Sequence, residues 1–531
     1  MPAISSDRLA ADTSGAAPRN AAFWCALAVL CLAMLAPLTL ADVPPLLDYP
    51  NHLARLFVLA SLPGDPVLAQ FYMPHWAVIP NLALDLTVPP LLRIFPVHLV
   101  GRAVIALTVI LPVLGSVAYH RALTGRLSYW PLGSALFAYN GLLLKGFLNF
   151  IVSVGLAMLL AAAWIEWRDR RPAFAIVTCV AGATALFFCH LGGLLLFAVL
   201  IGSHELLIMR TDPVGPGLFR ERIPAIVAVF AIPLALYAGS DLGHMPDHAQ
   251  IRTIAGKAHA ALTPMMNYCW PLDLVTAVLC AGTIALCLAR RWCAMKLRAV
   301  TAIIVLLVLF AVSPDAFKGG FDIDTRFIVM ATFIVPAALV PVALPRRAAW
   351  TIGLGFLAEF SVRMIVLAAV WHDWAGDLAA FRTVIAQVQP GDVVLTVRLS
   401  KDGEQNPWAA TARRLSDGTV LDAHLPALLM IEHRAWWPFL FDNQSQQPIE
   451  TREPFRTLAE LIDASPDPIA LLASNAPEAR LVTHVLLWGH GPGRIAPQGL
   501  KLLAANSEAA LFAVEHGAIR PPPPLAPPPD H

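Results

Sequence analysis

The segment Leu46-Leu47-Asp48-Tyr49-Pro50-Asn51-His52-Leu53-Ala54-Arg55 places a carboxylate, an imidazole and a guanidinium at spacings of four and three. On a helix these three side chains share one face. Pro50 suits a helix's first turn, so the spacing predicts a helix that starts near Asp48. A carboxylate flanked by such groups can take a proton from a hydroxyl or hold a metal. A plainer role is also open, with Asp48 as a helix cap and Arg55 as a lipid-headgroup contact. Further along come Tyr72, His75, Trp76, Asn81 and Asp85. They fit either an interfacial aromatic belt or a platform for a sugar.

Three other places carry chemistry. Lys145 opens the turn Lys145-Gly146-Phe147-Leu148-Asn149-Phe150 and can reach a lipid phosphate, while Asn149 can cap the following helix. His190, in Phe-Cys-His-Leu-Gly-Gly, stands between two apolar runs and is a further cavity candidate with His52, Asn149 and Asp85. The stretch 314–326 ends in Asp322-Ile323-Asp324-Thr325-Arg326. Asp322 and Asp324 could share a divalent cation as hard oxygen ligands, although nothing in the sequence requires a metal. Arg326 opens an apolar run, where an unpaired charge is costly, so it should pair with a phosphate or a carboxylate. Glu359 and Arg363, one turn apart in the last apolar run, should neutralise one another.

The elements that must position these groups are membrane helices. Of 531 residues, 57% are hydrophobic and 14% charged, against about 25% charged in soluble chains. Mean hydropathy is +0.65. Net charge is +1, which gives no support to a nucleic-acid partner. The eight cysteines lie in or beside apolar runs with no Cys-x-x-Cys pair, so they read as small buried hydrophobes. Apolar runs lie at 21–41, 99–119, 128–144, 148–167, 173–189, 191–209, 223–239, 272–289, 299–313, 327–344 and 348–371. The first is too long for a signal peptide's core. The expectation is a polytopic α-helical membrane protein of about 11 transmembrane helices.

With the N-terminus in the cytoplasm, sixteen Lys and Arg residues fall in inside segments and, up to residue 371, seven in outside segments. The positive-inside rule therefore puts the loop 42–98 and the region after residue 371 outside. That region regains polar residues. Asp392–Leu399, Thr483–Gly489, Leu500–Ala505 and Ala509–Glu515 read as strands, and Pro454–Ala464 as a helix. The expected organisation is a cytoplasmic segment 1–20, a transmembrane domain 21–371, an extracytoplasmic α/β domain 372–520 and a Pro-rich disordered tail 521–531.

In this order of parts the chain resembles the GT-C superfamily of membrane glycosyltransferases. The likeness rests on Asp48 soon after the first span, the GFLNF turn at 146–150, the DTRF sequence at the start of a late span, and a soluble domain after the last span. The resemblance implies transfer of a sugar from a polyprenyl-phosphate donor to a glycan, lipid or protein acceptor at the outer face of the membrane. Asp48 would be the catalytic base; Arg326, Lys145 and Arg55 would hold the donor phosphate. A bacterial inner membrane is the implied setting. Other readings are a transporter or flippase for a lipid or glycan, or a non-catalytic assembly protein.

Overall fold

The computed structural model describes residues 20–211, 217–240, 242, 249–399, 413–474, 476–489 and 499–516. The Pro-rich tail lies outside them. Among the described residues, eight helices are long and apolar enough to cross a membrane. They are Asn20–Thr39, Val97–Thr124, Leu148–Trp167, Pro172–Cys189, Leu191–Arg210, Glu221–Ala238, Trp270–Ala289 and Arg346–Ile385. Two sixteen-residue helices, Leu297–Val312 and Ile323–Ala338, pack beside them. The chain is thus a polytopic integral membrane protein with a C-terminal α/β domain.

Helix contacts in a bilayer rely on close approach rather than on water exclusion. Val97–Thr124 and Leu148–Trp167 meet this way at Gly115 and Gly155. A Cβ on Gly115 would lie 2.8 Å from the Gly155 carbonyl, and one on Gly155 would lie 2.5 Å from the Leu111 carbonyl carbon.

One apolar run is not a regular span. Residues 128–144 form a 3-10 helix, Trp130–Phe137, followed by the short helix Gly141–Leu144. Pro131 and Gly133 disfavour a continuous α-helix. The buried Asn140 side chain then caps the second piece, accepting from the N–H groups of Leu142 and Leu143. The last apolar run departs in the other direction, since its helix continues to Ile385.

The loop after the first span is largely helical, with helices Tyr49–Ser61, Leu68–Phe71 and Ala83–Leu92. The C-terminal domain holds a four-stranded sheet in the order Val394–Leu399, His484–Gly489, Ala509–Val514, Leu500–Ala505. The first pair is parallel and the other two antiparallel. The amphipathic helix Phe455–Ala464 buries Leu458 and Ile462.

This domain is fastened to the first loop. Tyr72–Pro74 pairs antiparallel with Ile449–Thr451. The buried Asn51 donates to the Phe439 carbonyl and accepts from the Phe441 N–H, at 2.7 and 2.9 Å. Arg382, at the end of the last long helix, pairs with both Asp42 and Glu432.

Candidate active site

Asp48 occupies the N-cap position of helix Tyr49–Ser61, yet its side chain makes no cap hydrogen bond. Its backbone N–H donates to the Lys145 carbonyl at 3.2 Å, which ties the first loop to the GFLNF turn. Gly146 is required there twice over. Its φ is +98°, and a Cβ would come within 2.7 Å of the Asp48 Cβ. The Asp48 carboxylate faces the C-terminal domain, where His424 brings Nδ1 to 3.1 Å from Oδ1. That nitrogen is buried with no aligned hydrogen-bond partner, so the contact is a close approach rather than a hydrogen bond.

The expected shared face of Asp48, His52 and Arg55 is present, with an addition. Arg55 is almost fully buried and forks onto Asp85, at 2.8 and 3.2 Å. Its Nη1 also lies 3.0 Å from His52 Nδ1. A guanidinium can only donate, so Nδ1 accepts and the His52 proton sits on Nε2. Burial, then the charges of Arg55 and His424, hold His52 well below the usual histidine range. The rings of His52 and His424 both pack edge-on against Phe441, with centroids at 5.3 and 5.1 Å. The two sequence candidates Arg55 and Asp85 thus satisfy one another behind His52.

Lys145 bridges two carboxylates. Its Nζ is 2.9 Å from Asp322 and 3.4 Å from Asp417 of the C-terminal domain. Burial works against its charge, but the two carboxylates outweigh it and hold Lys145 above the usual lysine range. Burial likewise opposes ionisation of Asp417. Lys145 and the Thr419 N–H and hydroxyl more than compensate, so its carboxyl stays below the usual range. Ser416 anchors this turn by donating to Asp273 at 2.6 Å.

Asp322 and Asp324, the metal candidates, are surrounded by cations. Asp322 takes Lys145 and Arg252, and Asp324 takes Arg252 and Lys257, at 2.6–3.2 Å. Among the described residues no three His, Cys, Asp or Glu side chains gather as a metal site would require.

Arg326 lies one turn beyond Asp322, on the same helix. Its guanidinium stacks over Phe147 and Phe150 of the GFLNF turn, at 5.1 and 5.7 Å. Nη1 is 2.8 Å from His190 Nε2, while the Gly192 N–H is 2.8 Å from His190 Nδ1. Burial, then the Arg326 charge, keeps this imidazole neutral. A neutral imidazole has one acceptor nitrogen, yet two donors face it. One contact is therefore unsatisfied. The Arg326 Nε is a further buried donor with no partner. Asn149 does not cap its helix; it donates to the Asn81 carbonyl at 2.9 Å. Its own Oδ1 and that of Asn81 are left without partners.

The Asp48, Lys145 and Arg326 neighbourhoods form one continuous cluster, with His52 and His190 at its two ends. Sequence reading missed His424 and Asp417, whose links to Asp48 and Lys145 carry no local motif. Arg252 and Lys257 were visible as outside charges, but their partners were not. Glu359 and Arg363 do not pair directly. Arg363 reaches Asp273 at 3.3 Å and Thr276 at 3.0 Å, and the Thr276 hydroxyl bonds Glu359. Asp273 offered a better-placed carboxylate from the neighbouring helix Trp270–Ala289.

No protein-family model and no curated protein matches the chain. Two solved structures share its fold. One is ArnT from Cupriavidus metallidurans in the apo state, with a TM-score of 0.53 and 14% identity, covering 93% of this chain and 98% of that one. The other is ArnT from the same organism bound to undecaprenyl phosphate, with a TM-score of 0.51, 12% identity and the same coverage. The likeness to ArnT is therefore one of fold, and it extends over nearly the whole chain.

Proposed function

We propose that the protein is a membrane glycosyltransferase that moves a sugar from a polyprenyl-phosphate-linked donor to an acceptor hydroxyl. The reaction takes place at the membrane face that carries the C-terminal domain. By the charge asymmetry of the loops this face is extracytoplasmic and the N-terminus cytoplasmic; a bacterial inner membrane is the setting that the resemblance implies. The acceptor is a glycan, a lipid or a protein.

Asp48 takes the proton of the acceptor hydroxyl as its oxygen attacks the anomeric carbon. The bond from that carbon to the donor phosphate oxygen breaks, with inversion. Its electron pair leaves with the polyprenyl phosphate. That group departs as an anion and needs charge stabilisation rather than a proton. Arg326 and Lys145 supply it. His424 faces Asp48 and stabilises the carboxylate in its basic form. Arg55, locked by Asp85, holds His52 and so the wall of the acceptor side.

The observation that carries this reading is the juxtaposition of an uncapped Asp48 with a nearby arginine that bonds the Phe321 carbonyl through Nη2 but keeps a buried Nε donor without a partner. A phosphate oxygen is what Arg326 lacks, and releasing Arg326 lets His190 accept from Gly192 alone. The undecaprenyl phosphate in one structural neighbour's title supports a lipid phosphate as the ligand. The test is transfer by purified, detergent-solubilised protein from polyprenyl-phosphate sugars to a panel of envelope acceptors. Wild-type turnover with Asp48→Asn inactive is expected; equal turnover by the two proteins would sink the reading.

A further inference from the structure

The far end of the helical bundle holds a separate basic cavity. Helices Val97–Thr124 and Leu191–Thr211 end there, and Leu297–Val312 begins there. The cavity measures about 340 Å³ and is lined by Leu123, Leu207, Lys296, Leu297 and Arg298. Two of the five lining residues are cationic, and three are leucines.

Among the described residues its charge has no carboxylate counterpart: neither Lys296 nor Arg298 has a carboxylate partner. Arg298 Nη1 lies 3.3 Å from His204 Nδ1, a neutral acceptor. Two nearby acids among the described residues are committed elsewhere. Glu205, fully buried, takes the Trp164 N–H at 2.7 Å and Arg222 at 2.6 Å, and Asp169 takes Arg222 at 2.8 Å. On the other flank, the His120 Nδ1 bonds the Ala337 carbonyl. Among the described residues, Lys296 and Arg298 therefore face the cavity as two cations without a carboxylate partner, beside two imidazoles.

The walls say what the anion is attached to. Leu297 is 62% exposed and continues into the outward-facing residues Ile304, Val305 and Val308 of its helix. On a membrane helix such a surface meets acyl chains. A small soluble anion has no use for it, whereas a phosphate on a lipid tail uses both parts. An arginine fork and a lysine point charge are the donors that suit a phosphate. Anionic lipids are also attracted to basic residues at helix ends.

We infer that Lys296 and Arg298 form a binding site for the phosphate of an anionic membrane phospholipid, at the membrane face opposite the candidate active site. Leu123, Leu207 and Leu297 take the first part of its acyl chains. This site plays no part in the transfer chemistry, and it stands or falls independently of Asp48.

The test is native mass spectrometry of the full-length protein titrated with phosphatidylglycerol, with phosphatidylcholine as the neutral control. Each charge near a lipid surface contributes about fivefold in affinity. The double variant Lys296→Ala/Arg298→Ala should therefore lose one bound phosphatidylglycerol, with affinity down about 30-fold. The charge-preserving Lys296→Arg/Arg298→Lys should keep it. Arg290→Ala/Arg291→Ala, which removes two charges at the same end but outside the cavity, should also keep it. Unchanged phosphatidylglycerol binding in the first variant overturns the site, as does an equal loss in the Arg290/Arg291 control. A third arm adds inorganic phosphate at millimolar concentration. Displacement of the lipid by phosphate alone would assign the cavity to a free anion and overturn the lipid assignment.

Discussion

His424 Nδ1 stands 3.1 Å from Asp48 Oδ1, across the seam between the C-terminal domain and the first loop. The base proposed for the reaction is thus completed by a residue from the far end of the chain. Asp48→Asn should lower turnover by ~10²–10⁴-fold, the usual contribution of a general base. Folding should be retained, because the side chain makes no cap bond that Asn would lose. His424→Gln, which removes the imidazole beside the carboxylate without breaking an aligned hydrogen bond, should lower kcat by up to about tenfold, with KM little changed. Steady-state kinetics on the two variants separates these effects.

Arg326 should behave as a phosphate ligand. Arg326→Ala is expected to raise the donor KM and lower kcat together. Arg326→Lys should restore only part of each, since a point charge replaces the fork that stacks on Phe147 and Phe150. Full activity in the lysine variant would reduce Arg326 to a headgroup contact.

The pair Lys145–Asp417 should couple the domain to the helical body. Lys145 keeps Asp322 when Asp417 is removed, so Asp417→Asn should cost ~1–2 kcal/mol, less than breaking an isolated buried pair. A double-mutant cycle with Lys145→Met, read by thermal unfolding in detergent, measures the coupling. A coupling energy of zero would mean that the contact carries no load.

The pH response has a defined sign. Burial holds His52 well below the usual histidine range in the folded protein and His484 below it despite Asp392, so each binds a proton less readily there than in the unfolded chain. Unfolding lets each take up a proton once the pH falls below the free value of about 6.5. The unfolded state then binds more protons, and stability falls with pH by up to ~1.4 kcal/mol per unit for each imidazole that stays neutral. Melting temperatures between pH 7.5 and 5.0 should decline, and His52→Gln should flatten the slope. The depressed carboxyls of Asp417 and Glu432 act only at lower pH, through the ordinary carboxyl range.

Much of the fold was legible because a bilayer imposes a length. Seven of the eleven apolar runs lie along single helices whose ends fall near the expected positions; 327–344 passes into the short strand Leu339–Pro341, and the helix of 348–371 runs on to Ile385. The first adds the short 3-10 turn Ala36–Thr39 to its helix, and 128–144 departs because Pro131, Gly133 and Asn140 interrupt it. The strands of the C-terminal domain were legible from β-branched and apolar runs beside turn residues. The candidate site was legible only in part. Spacing along one helix brought out Asp48, His52 and Arg55, since that relation is local. The partners of those residues come from elsewhere: Asp85 from another helix, His424 and Asp417 from another domain. Periodicity carries no information about which distant charge meets which.

The Asn51 clamp on Phe439 and Phe441, together with the strand pair Tyr72–Pro74 and Ile449–Thr451, has a consequence for engineering. The soluble domain is not a cargo that can be exchanged alone. A chimera that swaps residues 413–516 for those of another protein, but keeps residues 42–98, would leave a buried carboxamide with two broken bonds and an orphaned strand. Transplants should succeed only when both segments travel together. Acceptor preference, if it resides at this seam, should travel with the pair rather than with either half.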